Sequence, residues 1–222
     1  MFTAAVQELR NGIVTELKIN LRNTYEISAV LSIIRKHHES FDFAGTLLTE
    51  TWPEQQEGHY LRGTKPVFYL VKSSTIWSEI LEQELTVLRG GDKKGLSNND
   101  IAVICGGKNF VHDTVNTVVE RWNTVEDRIT MLSTFGCASA EYAAVIFIYR
   151  YGTENRNIKL PNNRKKRITF TNLTPRLYSS LSRARVYSSV ILYDYEPNIC
   201  EYDDNLLVEL RNSNDVCRVI ER

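Results

Sequence analysis

The alternation of apolar and polar positions changes period several times along the chain. Residues 13–21, Ile-Val-Thr-Glu-Leu-Lys-Ile-Asn-Leu, alternate over most of their length, the period-two signature of a strand. Beyond it the period lengthens: Ile27, Val30, Leu31 and Ile34 follow helical spacing, with Asn23 placed as the cap and Glu26 three positions on to complete a capping box. The strand thus delivers Arg22 to the mouth of a helix, where open α/β sheets bind ligands. Residues 39–66 have no strong period and read as a long connection or an insertion.

A regular strand and helix alternation follows. Residues 67–71 form a compact apolar strand, 75–88 a helix with Ile76, Ile80, Leu81, Leu85 and Leu88 inward, and Gly90-Gly91 stops it. Residues 101–105 are the next strand, 110–122 a helix carrying Val111, Val115, Val118 and Val119, and 129–134 and 144–149 two further strands. Thr174 and Pro175 open a last helix with Leu177, Leu181 and Ala184 on one face, and the pattern turns to a strand at Ser188. Arg183 and Arg185 then fall in the final helical turn. There they either oppose the negative end of the helix dipole or reach out as always-charged forks to an anion. This alternation predicts an α/β domain over 1–197, its mainly parallel sheet covered on both faces. Residues 198–222, acidic at Glu201, Asp203 and Asp204 and weakly helical through Leu206, Leu207 and Leu210, read as an appendage.

Composition narrows the function classes. Of the 222 residues 42% are hydrophobic and 24% charged, and no apolar run approaches the roughly 20 residues of a membrane span, so a soluble globular protein without membrane contact is expected. Lys plus Arg equal Asp plus Glu at 27 each, which confines any nucleic-acid contact to a local patch. The one basic run, Arg164, Lys165, Lys166 and Arg167, can contact a phosphate backbone, serve as a nuclear signal or simply stay solvated. Cys105, Cys137, Cys200 and Cys217 are widely spaced, and His37, His38 and His59 read as surface histidines without a partner at metal-ligand spacing. The N-terminus has no secretory pattern, so the nucleus or cytoplasm is expected. Gly106-Gly107-Lys108 invites a phosphate-loop reading, which fails because position 102 is Ala and the residue after the lysine is Asn109.

Three pieces carry a resemblance. Asn20-Leu-Arg-Asn-Thr24 resembles motif IV of superfamily 1 helicases of the UvrD/Rep type, Asn-Tyr-Arg-Ser/Thr ahead of a helix. The stretch 133–147, through Glu141, resembles their motif V, a Lys-Gly-Leu-Glu-Phe core before an apolar strand, and 177–184 is similar to motif VI, Leu-Tyr-Val-Ala-Leu-Thr-Arg-Ala. The segment from Asp100 into the 101–105 strand is similar to the strand between motifs IV and V. Order and spacing match across residues 15–195. The departures are Leu21 for the motif IV aromatic and Ala138-Ser139 for the Lys-Gly of motif V.

The resemblance implies a three-layer α/β/α RecA-like domain of the P-loop NTPase type that lacks its own P-loop: the C-terminal motor half of a helicase or translocase. ATP and Mg2+ would be held mainly by a separate N-terminal RecA-like domain and not by this chain alone, and single-stranded DNA or RNA would be the track. Arg183 would be the arginine finger and Arg22 its companion at the γ-phosphate, Glu141 would lie near the nucleotide ribose, and Arg185 with Arg164–Arg167 would face nucleic acid. The alternative is a non-catalytic interaction or regulatory module on the helicase fold. Arg22 and Arg183 are expected to converge at the carboxyl ends of the strands.

Overall fold

The computed structural model describes residues 22–40, 61–73, 75–90, 95–106, 110–134, 136–137, 140–152, 155–159, 165–169 and 173–222. The strand expected over 13–21, most of the 39–66 connection with His59, the Gly107-Lys108 pair, Ala138-Ser139 and Arg164 lie outside the described residues. In chain order the elements are α1 (Tyr25–Ser40), β1 (Val67–Val71), α2 (Ile76–Leu88), β2 (Ile101–Gly106), α3 (Phe110–Glu120), β3 (Thr130–Ser133) and β4 (Tyr142–Arg150). They continue with β5 (Asn155–Lys159), β6 (Lys165–Thr169), α4 (Leu173–Leu181), β7 (Ala184–Tyr193), α5 (Glu201–Asn212) and β8 (Arg218–Glu221). Six strands form one sheet in the order β3-β2-β4-β7-β1-β8 with every pairing parallel, while β5 and β6 make a separate antiparallel ribbon. No helix among the described residues is long and apolar enough to cross a membrane.

Strand pleating divides the core into two layers. Phe68, Leu70, Ala102, Ile104, Val145, Phe147, Tyr149, Val190 and Leu192 pack with α1, α4 and α5. Their alternates Val71, Val103, Cys105, Ile146, Ile148, Ile191 and Tyr193 pack with α2 and α3 on the opposite face. A strand covered on both sides needs apolar residues at every position, and β4 is buried without a break from Ala143 to Tyr149. This is the α/β domain with a parallel sheet covered on both faces that the pattern predicts, and its three layers are consistent with the RecA-like arrangement that the resemblance implies. On the α2 face the buried Glu84 carboxylate accepts hydrogen bonds from the Tyr69 and Tyr187 hydroxyls at 2.7 and 2.5 Å. Burial and that partnership push the Tyr69 hydroxyl up to about 12.

Four expectations change. Helix α1 begins at Tyr25, so Thr24 and not Asn23 holds the cap position, its carbonyl accepting the Ser28 N–H at 2.9 Å. Strand β7 begins at Ala184, ahead of Ser188, because Ala184 pairs with Tyr142 and the Arg185 carbonyl accepts the Thr24 N–H. Arg183 therefore occupies the turn after α4, and Arg185 lies within the strand. Residues 198–222, expected as an appendage, contribute α5 and β8: Leu206, Leu207, Leu210 and Cys217 enter the core, and β8 completes the sheet beside β1. His37, read as a surface residue, is buried, with Nε2 bonded to the Tyr202 carbonyl at 2.8 Å and Nδ1 near Glu209 at 3.2 Å. The periodicity of residues 201–212 does not reveal that the helix they form covers α1.

Candidate functional site

The residues that open α1 and the turn that opens β7 are bound to each other. Asn23, nearly fully buried, donates its side-chain amide to the Ala184 carbonyl at 2.5 Å and to the Ser182 carbonyl at 3.4 Å, joining segments 161 positions apart in the first case. The Thr24 N–H adds a parallel bond to the Arg185 carbonyl at 3.1 Å. A primary amide suits this post because its two N–H groups can satisfy two carbonyls that the start of a strand leaves over.

Glu141 joins the same place from a third segment. It directly precedes β4, and the next N–H, that of Tyr142, donates to the Arg183 carbonyl at 3.0 Å. Its carboxylate meets Arg22, Nε to Oε1, at 2.7 Å, with the two side chains 42% and 40% exposed. That exposure leaves the pair open to solvent and salt, so it constrains geometry more than it stabilises. Arg183, partly buried, donates from Nε to the Ser179 carbonyl at 3.3 Å and lies 3.2 Å from the Ser182 hydroxyl. Bonding at Nε to the end of α4 fixes the plane of the guanidinium and opposes the helix dipole in the same contact.

The chain also closes over the start of α1 from residues 61–64. The Tyr25 N–H donates to the Leu61 carbonyl at 2.9 Å, the Gly63 N–H to Glu26 Oε2 at 2.7 Å, and the Arg62 guanidinium lies 4.0 Å above the Tyr25 ring. A side chain at Gly63 would come within 2.6 Å of Thr24, so only glycine allows this approach. Burial would push the Glu26 carboxyl up, but the hydrogen bonds from Gly63 and Arg62 hold it below the usual range. Sequence pattern pointed to Glu26 only as a cap and gave no sign of Arg62, because its partners come from across a long connection.

Arg22, Glu141 and Arg183 are thus brought together, but at the amino ends of β4 and β7, which corrects the expectation that the two arginines meet at the carboxyl ends. The reason is connectivity: motifs V and VI both lead into strands, so the residues that carry them sit where strands begin. Arg185 is exposed in β7, and Lys165, Lys166 and Arg167 form part of β6 in the ribbon, outside the sheet that carries this cluster. Among the described residues, side chains pack against one another at the carboxyl ends. A side chain at Gly106 would meet the Tyr149 ring at 2.6 Å, Arg150 pairs with Asp194 at 2.7 Å, and the Tyr151 hydroxyl donates to Asp204 at 2.8 Å. Four cysteines, Cys105, Cys137, Cys200 and Cys217, are free and buried, and burial pushes the Cys105 thiol up to about 12.

No family model matches the chain, and no curated protein does. Among solved structures, the C-terminal domain of a possible DNA helicase from Lactobacillus plantarum WCFS1 is similar at 13% identity, covering 84% of this chain and 96% of that chain, with a TM-score of 0.43. An overlap that loose leaves the fold to rest on this chain's own strand order and the site to rest on its own contacts.

Proposed function

We propose that this chain is the C-terminal motor half of an ATP-dependent DNA or RNA helicase or translocase, giving Arg183 as an arginine finger, with Arg22 beside it, to a nucleotide held by a partner RecA-like domain. The observation that carries the reading is the convergence of Arg22, Glu141 and Arg183. Motif order points to all three residues, their places beside a helix point to Arg22 and Arg183 as well, and contacts between distant segments join them on one partly exposed surface. This reading leaves the nucleotide and its Mg2+ to the partner domain: the sequence carries no phosphate loop of the usual pattern, and among the described residues rings and an ion pair pack at the carboxyl ends of β2, β4 and β7. Cations at the opposite end suit donation to a site on another domain, where a guanidinium stabilises negative charge in phosphoryl transfer.

In this reading Glu141 lines the ribose side of the nucleotide while orienting Arg22, and Arg185 with the basic run faces a single strand. The test is ATP turnover by the motor that contains both halves. Arg183→Ala is expected to lower kcat by about 10³-fold or more, and Arg183→Lys to leave most of that loss in place because an ammonium lacks the planar fork. Steady turnover by the isolated 222-residue chain, or unchanged turnover in the Arg22→Ala/Arg183→Ala motor, would end the proposal. A second reading, a non-catalytic helicase-fold module, draws on the ion pair that already occupies Arg22. It is the outcome if the double variant hydrolyses ATP normally.

A further inference from the structure

Arg62, on the stretch 61–64 that crosses the start of α1, lies outside the motifs that mark Arg22, Glu141 and Arg183. Its guanidinium carbon is 4.0 Å from the centre of the Tyr25 ring, which is van der Waals contact with the ring face. Nη1 lies 3.3 Å from Glu26 Oε1, so one edge of the planar head is held as well. Both supports are themselves fixed. The Tyr25 ring packs against the core, and the Glu26 side chain, 7% exposed, accepts the Gly63 N–H at 2.7 Å. Arg62 itself stays 70% exposed. With one face on the ring and one edge on the carboxylate, the guanidinium turns its second face to solvent.

Three observations decide what that face can take. The Glu26 carboxylate already balances the guanidinium charge, so a lone phosphate gains little there. The surroundings are apolar: Leu61 is 67% exposed on the same stretch, and Val186, 51% exposed, is tied to it by its carbonyl, which accepts the Thr64 hydroxyl at 3.5 Å. A planar cation already stacked on one ring accepts a second ring on its other face without being reordered. A flat group with apolar faces and polar edges meets all three conditions, and a nucleobase is such a group. Tyr25 is three residues from Arg22, at most about 11 Å of chain, so this surface adjoins a side chain proposed for phosphate.

We propose that Arg62, seated on Tyr25, is a stacking platform for a nucleobase. The proposal rests on the nucleotide and nucleic-acid parts of the function proposed above and is independent of the finger role of Arg183. The base belongs to a free nucleotide or to a nucleic-acid strand, since both present the same ring face. Every base has that face, so the platform discriminates little among sequences.

The test is binding of the whole chain to ligand pairs that differ only in the base: a labelled oligothymidylate against its abasic counterpart, by fluorescence anisotropy, and AMP against ribose 5-phosphate, by calorimetry. The base-bearing member of at least one pair is expected to bind about 5- to 150-fold more tightly, the range for one stacked base. A gain in the first pair assigns the platform to a strand, and a gain in the second to a free nucleotide. Arg62→Lys keeps the charge and loses the plane, so it is expected to remove the gain and leave the base-free member bound as in wild type. A gain that survives Arg62→Lys would overturn the proposal. So would equal affinity within both pairs, which leaves the exposed face to an aromatic side chain of a protein partner. A lysine variant that weakens base-bearing and base-free ligands alike would make Arg62 a phosphate contact and refute the platform. On wild type alone, the NMR resonance of the Arg62 Nε–H is expected to move upfield by ring current with the base-bearing ligand and not with its base-free counterpart. An unmoved resonance at saturation counts against the platform whatever the variant does. In each of these failures Arg183→Ala still lowers turnover of the assembled motor, so the platform and the motor reading fail separately.

Discussion

At the amino ends of β4 and β7 the chain gathers Arg22, Glu141 and Arg183 from three distant segments and leaves Arg22 and Glu141 about two-fifths exposed. At the carboxyl ends of the same strands it does the reverse: Tyr149 and Phe147 fill the space above Gly106, Arg150 is paired with Asp194, and Tyr151 and Tyr195 meet edge to face with ring centroids 5.0 Å apart. Parallel α/β sheets ordinarily place ligands at the carboxyl ends, where loops and helix amino termini converge. In the function proposed above, packing at that end and cations at the other separate two tasks: rigidity at the carboxyl end, and charge offered to another domain at the amino end.

Substitutions at the two ends should therefore differ in what they damage. The largest loss of stability is expected for Phe147→Ala, which empties a fully buried ring site stacked on Tyr149 at 5.9 Å and should cost about 3–5 kcal/mol, read as a lower urea midpoint. A cost under about 1 kcal/mol would mean that the carboxyl end is loosely packed and the contrast false. Asn23→Ala comes next, at about 1–3 kcal/mol, because it leaves the buried Ala184 carbonyl and the part-buried Ser182 carbonyl without this amide donor. Unlike Phe147→Ala, it should lower turnover of the assembled motor under conditions where the variant is fully folded, since Asn23 sets Arg22 against the Arg183 turn.

Asp203 tests the carboxyl-end side through pH. It lies in the first turn of α5, fully buried; burial above all, with the neighbouring Asp204 charge, pushes its carboxyl up to about 7. An unfolded aspartate titrates near about 3.9. Between those values the folded chain binds more protons than the unfolded one, so this contribution to stability is complete below about pH 4 and declines as pH rises towards 7. Asp203→Asn should remove the decline and make the variant more stable than wild type at pH 8. Parallel stability curves for the two proteins from pH 4 to 8 would contradict it.

How much of this was legible follows from the range of each interaction. Strands β1 to β4 read correctly because burial on both faces forces apolar runs such as 143–149, and α2 and α3 because their apolar positions recur at helical spacing. The start of β7 did not, because Ala184 and Arg185 join the strand through Tyr142 and Thr24, partners that no local period encodes. Residues 198–222 looked peripheral for the same reason: β8 is short and half polar, and only its place beside β1 makes it a sheet strand. Arg22, Glu141 and Arg183 were legible as candidates through motif order. Their position at the amino ends depended on which segments lead into strands, and Asn23 looked like a helix cap because its carbonyl partners lie on another element.

The smallest effect on stability is expected where the largest effect on function is proposed. Arg22→Ala removes an ion pair whose members are 42% and 40% exposed, worth about 0–1 kcal/mol, and the urea midpoint should move little. Glu141→Gln should be equally mild, and it separates the roles of the pair. If Glu141 serves only to neutralise Arg22, the glutamine variant frees the guanidinium and the assembled motor should bind its nucleotide more tightly. If Glu141 also orients Arg22 towards the Arg183 side, the variant should lose kcat despite unchanged folding, because an amide cannot hold the guanidinium with the same charge-assisted bond. The joint position of Arg22, Glu141 and the Arg183 turn favours the second outcome: lower kcat with wild-type stability. A motor indifferent to both Arg22→Ala and Glu141→Gln would reduce the amino-end cluster to a solvent-exposed ion pair and leave the two ends of the sheet without a division of labour.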